Sequence, residues 1–258
     1  MHAHSATPLH RVATPALRET GPVIATTVRH FRHDMQRIAV PQVEAQLVVR
    51  FGPGIPGGID IHAMGVRPHV QRKFIRGGQR AVLARLQPGT YERTLGISAG
   101  ELAGRMYPLD DLWTRASAQA LLEQLAGAVD ADAACALLQA TVSGYAARNT
   151  FARTASPLLQ AALEQLQVSG VTGSARALGV SERQLRRILH DGLGIGPKTF
   201  SRLMRFEHAV RAAQSARTIN WSSIAVDAGY YDQAHLIADF RTIAGNTPRM
   251  FMAELAHR

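Results

Sequence analysis

The C-terminal part of the chain repeats itself, and no other sequence feature constrains the fold as tightly. One copy runs from Ala175 to Phe200 and the other from Ala225 to Phe251. Ala175 and Gly179 match Ala225 and Gly229 at an offset of 50 residues. From there the offset is 51, pairing Ser181 with Asp232, Leu185 with Leu236, Leu189 with Phe240, Gly194 with Gly245, Pro197 with Pro248 and Phe200 with Phe251. Each copy has one physical logic. A short helix carries an alanine that lets a second helix approach closely. Glycine ends that helix, where a left-handed backbone is cheap. Ser181 or Asp232 then caps the next helix, which buries Leu185, Ile188 and Leu189 in one copy and Leu236 and Phe240 in the other. This is helix–turn–helix architecture. The two copies are joined by residues 197–216, which read as one continuous helix.

Charge narrows what such a pair can bind. The 258-residue chain has a formal net charge of +10, and all of its 29 basic residues except Lys73 and Lys198 are arginines. A surplus of this size favours polyanions, and the guanidinium fork suits phosphate and guanine. The excess is not uniform. Residues 170–217 hold nine basic groups against Glu182, Asp191 and Glu207, a net of +6, whereas residues 218–258 come to −1. The exposed face of the first copy carries Arg183, Gln184, Arg186, Arg187 and His190, side chains that read base edges in a major groove.

The rest of the chain has a different texture. Residues 1–20 have little periodicity and are expected to be flexible. Residues 21–150 begin β-rich, with apolar or β-branched runs at 22–30, 45–51 and 81–86 separated by turn clusters such as residues 52–58. Short strands spaced this way suggest an antiparallel sheet or small barrel. After Pro88-Gly89 the pattern becomes helical. Ser98 and Glu101 have capping-box spacing, and helices are predicted over 117–129 and 132–148. Residues 149–156 read as a linker, and Ser156-Pro157 starts another helix with Ser as cap. The predicted fold is therefore α+β: a β-rich region with helices behind it, then an all-α region of two helix–turn–helix units over 151–258.

The residues that carry the two copies also carry a family resemblance. LGVSERQLRRIL (178–189), GIGPKTF (194–200), Arg205 with Ala209, IAVDAGYYDQAHLIADFR (224–241) and GNTPRMF (245–251) resemble the C-terminal DNA-binding domain of the AraC/XylS family of bacterial transcription regulators. The resemblance implies two units entering successive major grooves of promoter DNA. It implies recognition helices at about 182–190 and 233–243. By position, the DNA-facing residues are Ser181, Glu182, Arg183, Gln184, Arg186 and Arg187 in the first unit, with Lys198 and Arg202 at phosphates. In the second they are Tyr231, Asp232, Gln233, Ala234, His235, Ala238 and Arg241. Ala234 and Ala238 are small, so reading by that helix should be thinner. His235 is expected to be partly buried, and Asp239 to bond locally rather than face DNA. Residues about 20–150 more loosely resemble a β-rich, cupin-like front domain of one subgroup, on AQLVVRFG (45–52) and the 86–113 run. That resemblance implies a domain that senses a signal or mediates association.

No chemistry competes with this reading. The single cysteine, Cys135, excludes a disulfide framework and a Cys-rich zinc module. His30, His33, His62 and His69 show no metal-ligand spacing, so neither metal nor cofactor is expected. No nucleophile–base pair or phosphate loop stands out, and no enzyme is predicted. Phe51, Met64, Phe74, Tyr91 and Trp113 could line a pocket; core is the better reading for each. No run of about twenty apolar residues occurs, so no membrane span is expected, and MHAHSATPLH lacks a signal-peptide pattern. A cytoplasmic regulator follows, with double-stranded DNA as partner and activation through RNA polymerase implied by the family. Repression, a small-molecule effector, a homodimer, and an enzyme or interaction module with a DNA-targeting appendage stay open.

Overall fold

The computed structural model describes residues 21–149 and 157–256. The N-terminal twenty residues, most of the predicted linker and the Ser156 cap lie outside them. Among the described residues, seven strands come first: β1 (Val23–His30), β2 (Met35–Ala39), β3 (Gln46–Phe51), β4 (Ile59–Met64), β5 (Gln71–Ile75), β6 (Arg80–Leu86) and β7 (Met106–Pro108). They make an antiparallel five-stranded sheet, β1-β6-β3-β4-β7, and a two-stranded sheet, β2-β5.

Strand alternation gives the large sheet two different faces. Leu47, Val49, Ile61, Ala63, Val82, Ala84 and Leu86 are buried against helices behind the sheet. Those helices are α1 (Tyr91–Leu95), α2 (Ala99–Leu102), α3 (Arg115–Ala126) and α4 (Ala131–Arg148). Trp113 and Tyr145 stack there at 4.2 Å. The Trp113 indole donates to the Thr94 carbonyl at 2.9 Å. The opposite face, with Val48, Ala81 and Leu83, packs on Met35 and Ile75 of the two-stranded sheet and on Phe31.

Seven further helices follow: α5 (Pro157–Val168), α6 (Val171–Ala177), α7 (Glu182–Leu193), α8 (Pro197–Ser215), α9 (Trp221–Asp227), α10 (Gln233–Ala244) and α11 (Pro248–Ala256). The predicted continuous helix over 197–216 is α8. Leu159, Leu163, Leu185, Leu189, Phe200, Phe206, Phe240 and Phe251 build its surrounding core, and Ile38, Val43 and Val66 of the β-rich region join the same cluster. Among the described residues no helix is long and apolar enough to cross a membrane, and no group of three or more His, Cys, Asp and Glu is placed to hold a metal ion.

Candidate nucleic-acid interface

The two units match down to single hydrogen bonds. In the first, α6 closes with Gly179 at φ +63°, and the Val180 amide donates to the Ala175 carbonyl at 3.0 Å. In the second, Gly229 takes φ +80°, and the Tyr230 amide donates to the Ala225 carbonyl at 2.8 Å. A side chain would strain either backbone, which is why glycine recurs there. Next, Ser181 Oγ accepts from the Gln184 amide at 3.1 Å, and Asp232 Oδ1 from the His235 amide at 2.7 Å. These caps satisfy orphan amides at the N-termini of α7 and α10. Gly194 and Gly245 end both helices in the left-handed conformation.

The buried stripes then decide which faces stay open. In α7, Leu185, Leu189 and Leu193 are buried, and Arg183, Arg186, Arg187 and His190 are exposed. In α10, Leu236, Phe240 and Ile243 are buried, and Gln233, Ala234, His235, Ala238 and Arg241 are exposed. Ser181, Glu182, Lys198, Tyr231 and Asp232 are also exposed; Gln184 and Arg202 are half-buried. Ser222 Oγ donates to the Gln233 amide oxygen at 2.9 Å, leaving the Gln233 amide nitrogen for a partner outside the chain.

One expectation at this face is corrected. His235 is exposed rather than partly buried. Buried Tyr230 fills the space beneath it and meets the imidazole edge-on at 5.2 Å. Asp239 is buried and pairs with Arg205 of α8 at 3.5 Å, and the Arg205 guanidinium also covers the Tyr230 ring at 5.2 Å. Burial, then the nearby Asp239 charge, raises the Tyr230 phenol far above its ordinary value. This Arg–Tyr–Asp knot ties α10 to the connecting helix, and the sequence gives no signal for it beyond the three residue types.

The β-rich region holds both units at equivalent points. The Gly89 amide donates to the Gly192 carbonyl at 2.9 Å, and the Val70 amide to the Ile243 carbonyl at 2.8 Å. Gly192 and Ile243 stand 51 residues apart, so the same repeat position is gripped twice. Around the first grip the fit is tight: a Cβ on Gly194 would lie 2.1 Å from the Ala99 carbonyl oxygen. Around the second, Arg72 donates to the Ala244 carbonyl at 3.0 Å and to Glu254 of α11 at 2.7 Å. At the connecting helix, Glu44 is fully buried with both carboxylate oxygens unbonded. Burial pushes its carboxyl up to about 7 against the pull of Arg85, and Glu207 of α8 pushes the same way. The nearest Arg85 nitrogen is 3.5 Å away, too far to offset the lost hydration. Backbone donors and a buried acid carry no sequence signature, so these contacts were not predictable.

The expected pocket aromatics divide. Met64, Tyr91 and Trp113 are core, Phe51 is half-buried beneath Arg80 at 5.3 Å, and Phe74 is 64% exposed. Phe74 is thus no core residue, because β5 turns it away from the large sheet. Cys135 packs half-buried against the core behind the sheet.

A paired set of capped helices, each presenting an exposed N-terminal face from one connecting helix, defines a helix–turn–helix protein of the DNA-binding class. Residues 174–254 match the family model described as a helix-turn-helix domain. This segment is an AraC-type helix–turn–helix domain, and a DNA-binding regulator is the class it places the chain in. Two similar solved structures are of ToxT from Vibrio cholerae. The form bound to (E)-4-(8-methylnaphthalen-1-yl)but-3-enoic acid is 10% identical with a TM-score of 0.44, over 90% of this chain and 98% of that one. The unsaturated-fatty-acid-bound wild-type form from strain SCE256 is 11% identical with a TM-score of 0.39, over 92% and 97%. No curated protein matches the sequence.

Proposed function

We propose that the protein is a sequence-specific transcription regulator that sets α7 and α10 into successive major grooves, roughly 34 Å apart along one face of promoter DNA. The observation that carries the reading is the exposed arginine face of α7, with the exposed face of α10 at the matching repeat position and the single helix α8 between them. Arg183, Arg186 and Arg187 contact bases and phosphates. Ser181, Glu182 and Gln184 flank them, and Lys198 and Arg202 reach phosphates. In the second unit Tyr231, Asp232, Gln233, Ala234, His235, Ala238 and Arg241 meet the groove, with Ala234 and Ala238 offering only apolar contact to a thymine methyl. Residues 21–150 sense a signal or pair two copies of the chain, and residues 151–258 deliver it to DNA. The regulator activates by recruiting RNA polymerase.

The test is selection of bound duplexes from random sequence by the full-length protein, followed by a footprint on the selected site. A footprint in two blocks one helical turn apart supports the reading; no enriched duplex sinks it. Transcription from a promoter carrying that site, with and without protein, separates activation from repression.

A further inference from the structure

The space between the two sheets carries positive charge that DNA binding leaves unused. Register places it there. Arg29 of β1 pairs with Ala81, which packs against Met35 and Ile75 of the small sheet. Lys73 of β5 pairs with Arg37 and lies two residues from Ile75, so it shares that strand's inward face. Arg67, after β4, bridges to Gln42, and Gln42 accepts from Gln46, which shares the inward face of β3 with Val48. The three cations are half-buried.

Their neighbours are other cations. Burial depresses the Lys73 ammonium, and Arg67, Arg50 and Arg37 depress it further. Burial and then Arg29 do the same to Arg67, and burial alone to Arg29. Two carboxylates of the β-rich region are committed elsewhere. Asp60 accepts two bonds from Arg50, one at 2.8 Å, and Glu44 faces Arg85. Arg29 Nε is buried with no hydrogen-bond partner among the described residues, and the Arg67 guanidinium makes a long 3.4 Å contact to Gln42. Among the described residues no ion pair joins a carboxylate to Arg29, Arg67 or Lys73. Unpaired charges in a partly dry interior are costly, and like charges there add repulsion. Buried, mutually repelling charges of this kind mark a candidate ligand site.

We infer that Arg29, Arg67 and Lys73 form a binding site for a small oxyanion carrying two or more negative charges. Two guanidinium forks bind carboxylate or phosphate oxygens bidentately, and the ammonium supplies a point charge. The site deepens the sensor reading and rests on it for its regulatory meaning. Its route to DNA is short, because Arg72, the next residue on β5, holds Glu254 and Ala244 of the second unit.

The experiment uses the DNA-free full chain, melted at fixed ionic strength with citrate in one arm and pyrophosphate in the other. The expected result is a saturable rise in Tm with at least one of them, roughly 5–10 °C at a hundredfold excess over half-saturation. A citrate-only response names a polycarboxylate ligand, and a pyrophosphate-only response a phosphorylated one. In Lys73→Met and Arg67→Met the half-saturating concentration rises at least tenfold. The Tm of Lys73→Met without anion stays at or above that of the native chain, because repulsion is gone, which separates lost binding from lost folding. The double variant Arg186→Ala/Arg187→Ala keeps the response. No saturable rise in either arm overturns the site, as does a response that survives Lys73→Met or vanishes with the α7 arginines. DNA affinity measured at saturating anion is a separate readout. If it is unchanged while the Tm response stands, the site holds and the sensor reading falls.

Discussion

The two helix–turn–helix units share a backbone and differ in what they put on it. The first spends its residues on the outside. Its core is mostly leucine, from Leu159, Leu163, Leu185 and Leu189, with Phe200 as its one buried aromatic among the described residues, and α7 exposes three arginines. The second spends them on the inside. Phe240 meets Phe206 at 4.6 Å and Trp221 at 5.9 Å, Phe251 closes on Phe206 at 5.7 Å, and Asp239 is pinned by Arg205, while α10 exposes Ala234 and Ala238. The repeat thus carries one unit suited to gripping a polyanion and one suited to holding a fixed shape. Affinity and geometry can be divided in this way because the β-rich region holds both units at equivalent carbonyls and α8 packs into the core they share.

The largest expected effect tests the inside of that comparison. Phe240→Ala should cost roughly 3–5 kcal/mol of unfolding free energy, the usual range for an aromatic core truncation. Leu189→Ala, at the matching position of the first unit, should cost roughly 2–5 kcal/mol. Denaturant titration of both variants measures the difference. A Leu189→Ala loss well above that of Phe240→Ala would show that the aromatic cluster is not the firmer core.

The helix shared by both units supplies the next test. Glu44 is protonated more readily in the folded chain, about 7 against an ordinary 4.5. The folded state then binds more protons than the unfolded one between those values. Stability from this group therefore falls as pH rises from 4.5 to about 7 and is level above. Glu44→Gln should melt like the native chain near pH 4.5 and be more stable above pH 7, by up to roughly 3 kcal/mol. Thermal melts at pH 5 and pH 8 read it. A variant destabilised at pH 8 would mean that the Arg85 pair outweighs desolvation.

The outside of the comparison is tested on DNA. Removing Arg186 and Arg187 together should weaken binding by roughly 1–3 kcal/mol for each side chain that reads a base, and flatten the salt slope by about 1 for each phosphate no longer neutralised. Gln233→Ala should cost less than about 1 kcal/mol, because Ser222 already takes its amide oxygen. Affinities measured at several salt concentrations decide it, and equal losses from the two changes would overturn the division of labour.

The sequence showed this division unevenly. The repeat was legible because caps and left-handed turns admit few residue types: Ser181, Asp232, Gly194 and Gly245 stand where the periodicity put them. The arginine face was legible for the same reason, since α7 leaves charge outside a three-leucine stripe. The strands β2 (MQRIA) and β5 (QRKFI) were not, because their inward positions carry Arg37 and Lys73 in place of apolar residues. Strand patterning is recognised by oil on the buried face, and here Arg37 and Lys73 share that face with Met35 and Ile75. The exposure of His235 was hidden because the neighbouring buried aromatic is Tyr230, which meets the imidazole edge-on at 5.2 Å. The grips on Gly192 and Ile243 run through backbone atoms, and no side-chain pattern announces a backbone contact.

The smallest effect is the sharpest test of the shared backbone. Ser181 and Asp232 do the same work at matching positions, each accepting an amide bond from the third residue on. Ser181→Ala and Asp232→Ala should each cost about 1 kcal/mol. The aspartate should cost a few tenths more, because its charge also meets the positive end of α10, and that surplus should shrink at high salt. If the two losses match at every salt concentration, the cap is hydrogen bonding alone and the charge of Asp232 is free for another role. It is exposed beside Gln233, so that role would lie at the groove, where a carboxylate accepts from cytosine and repels phosphate.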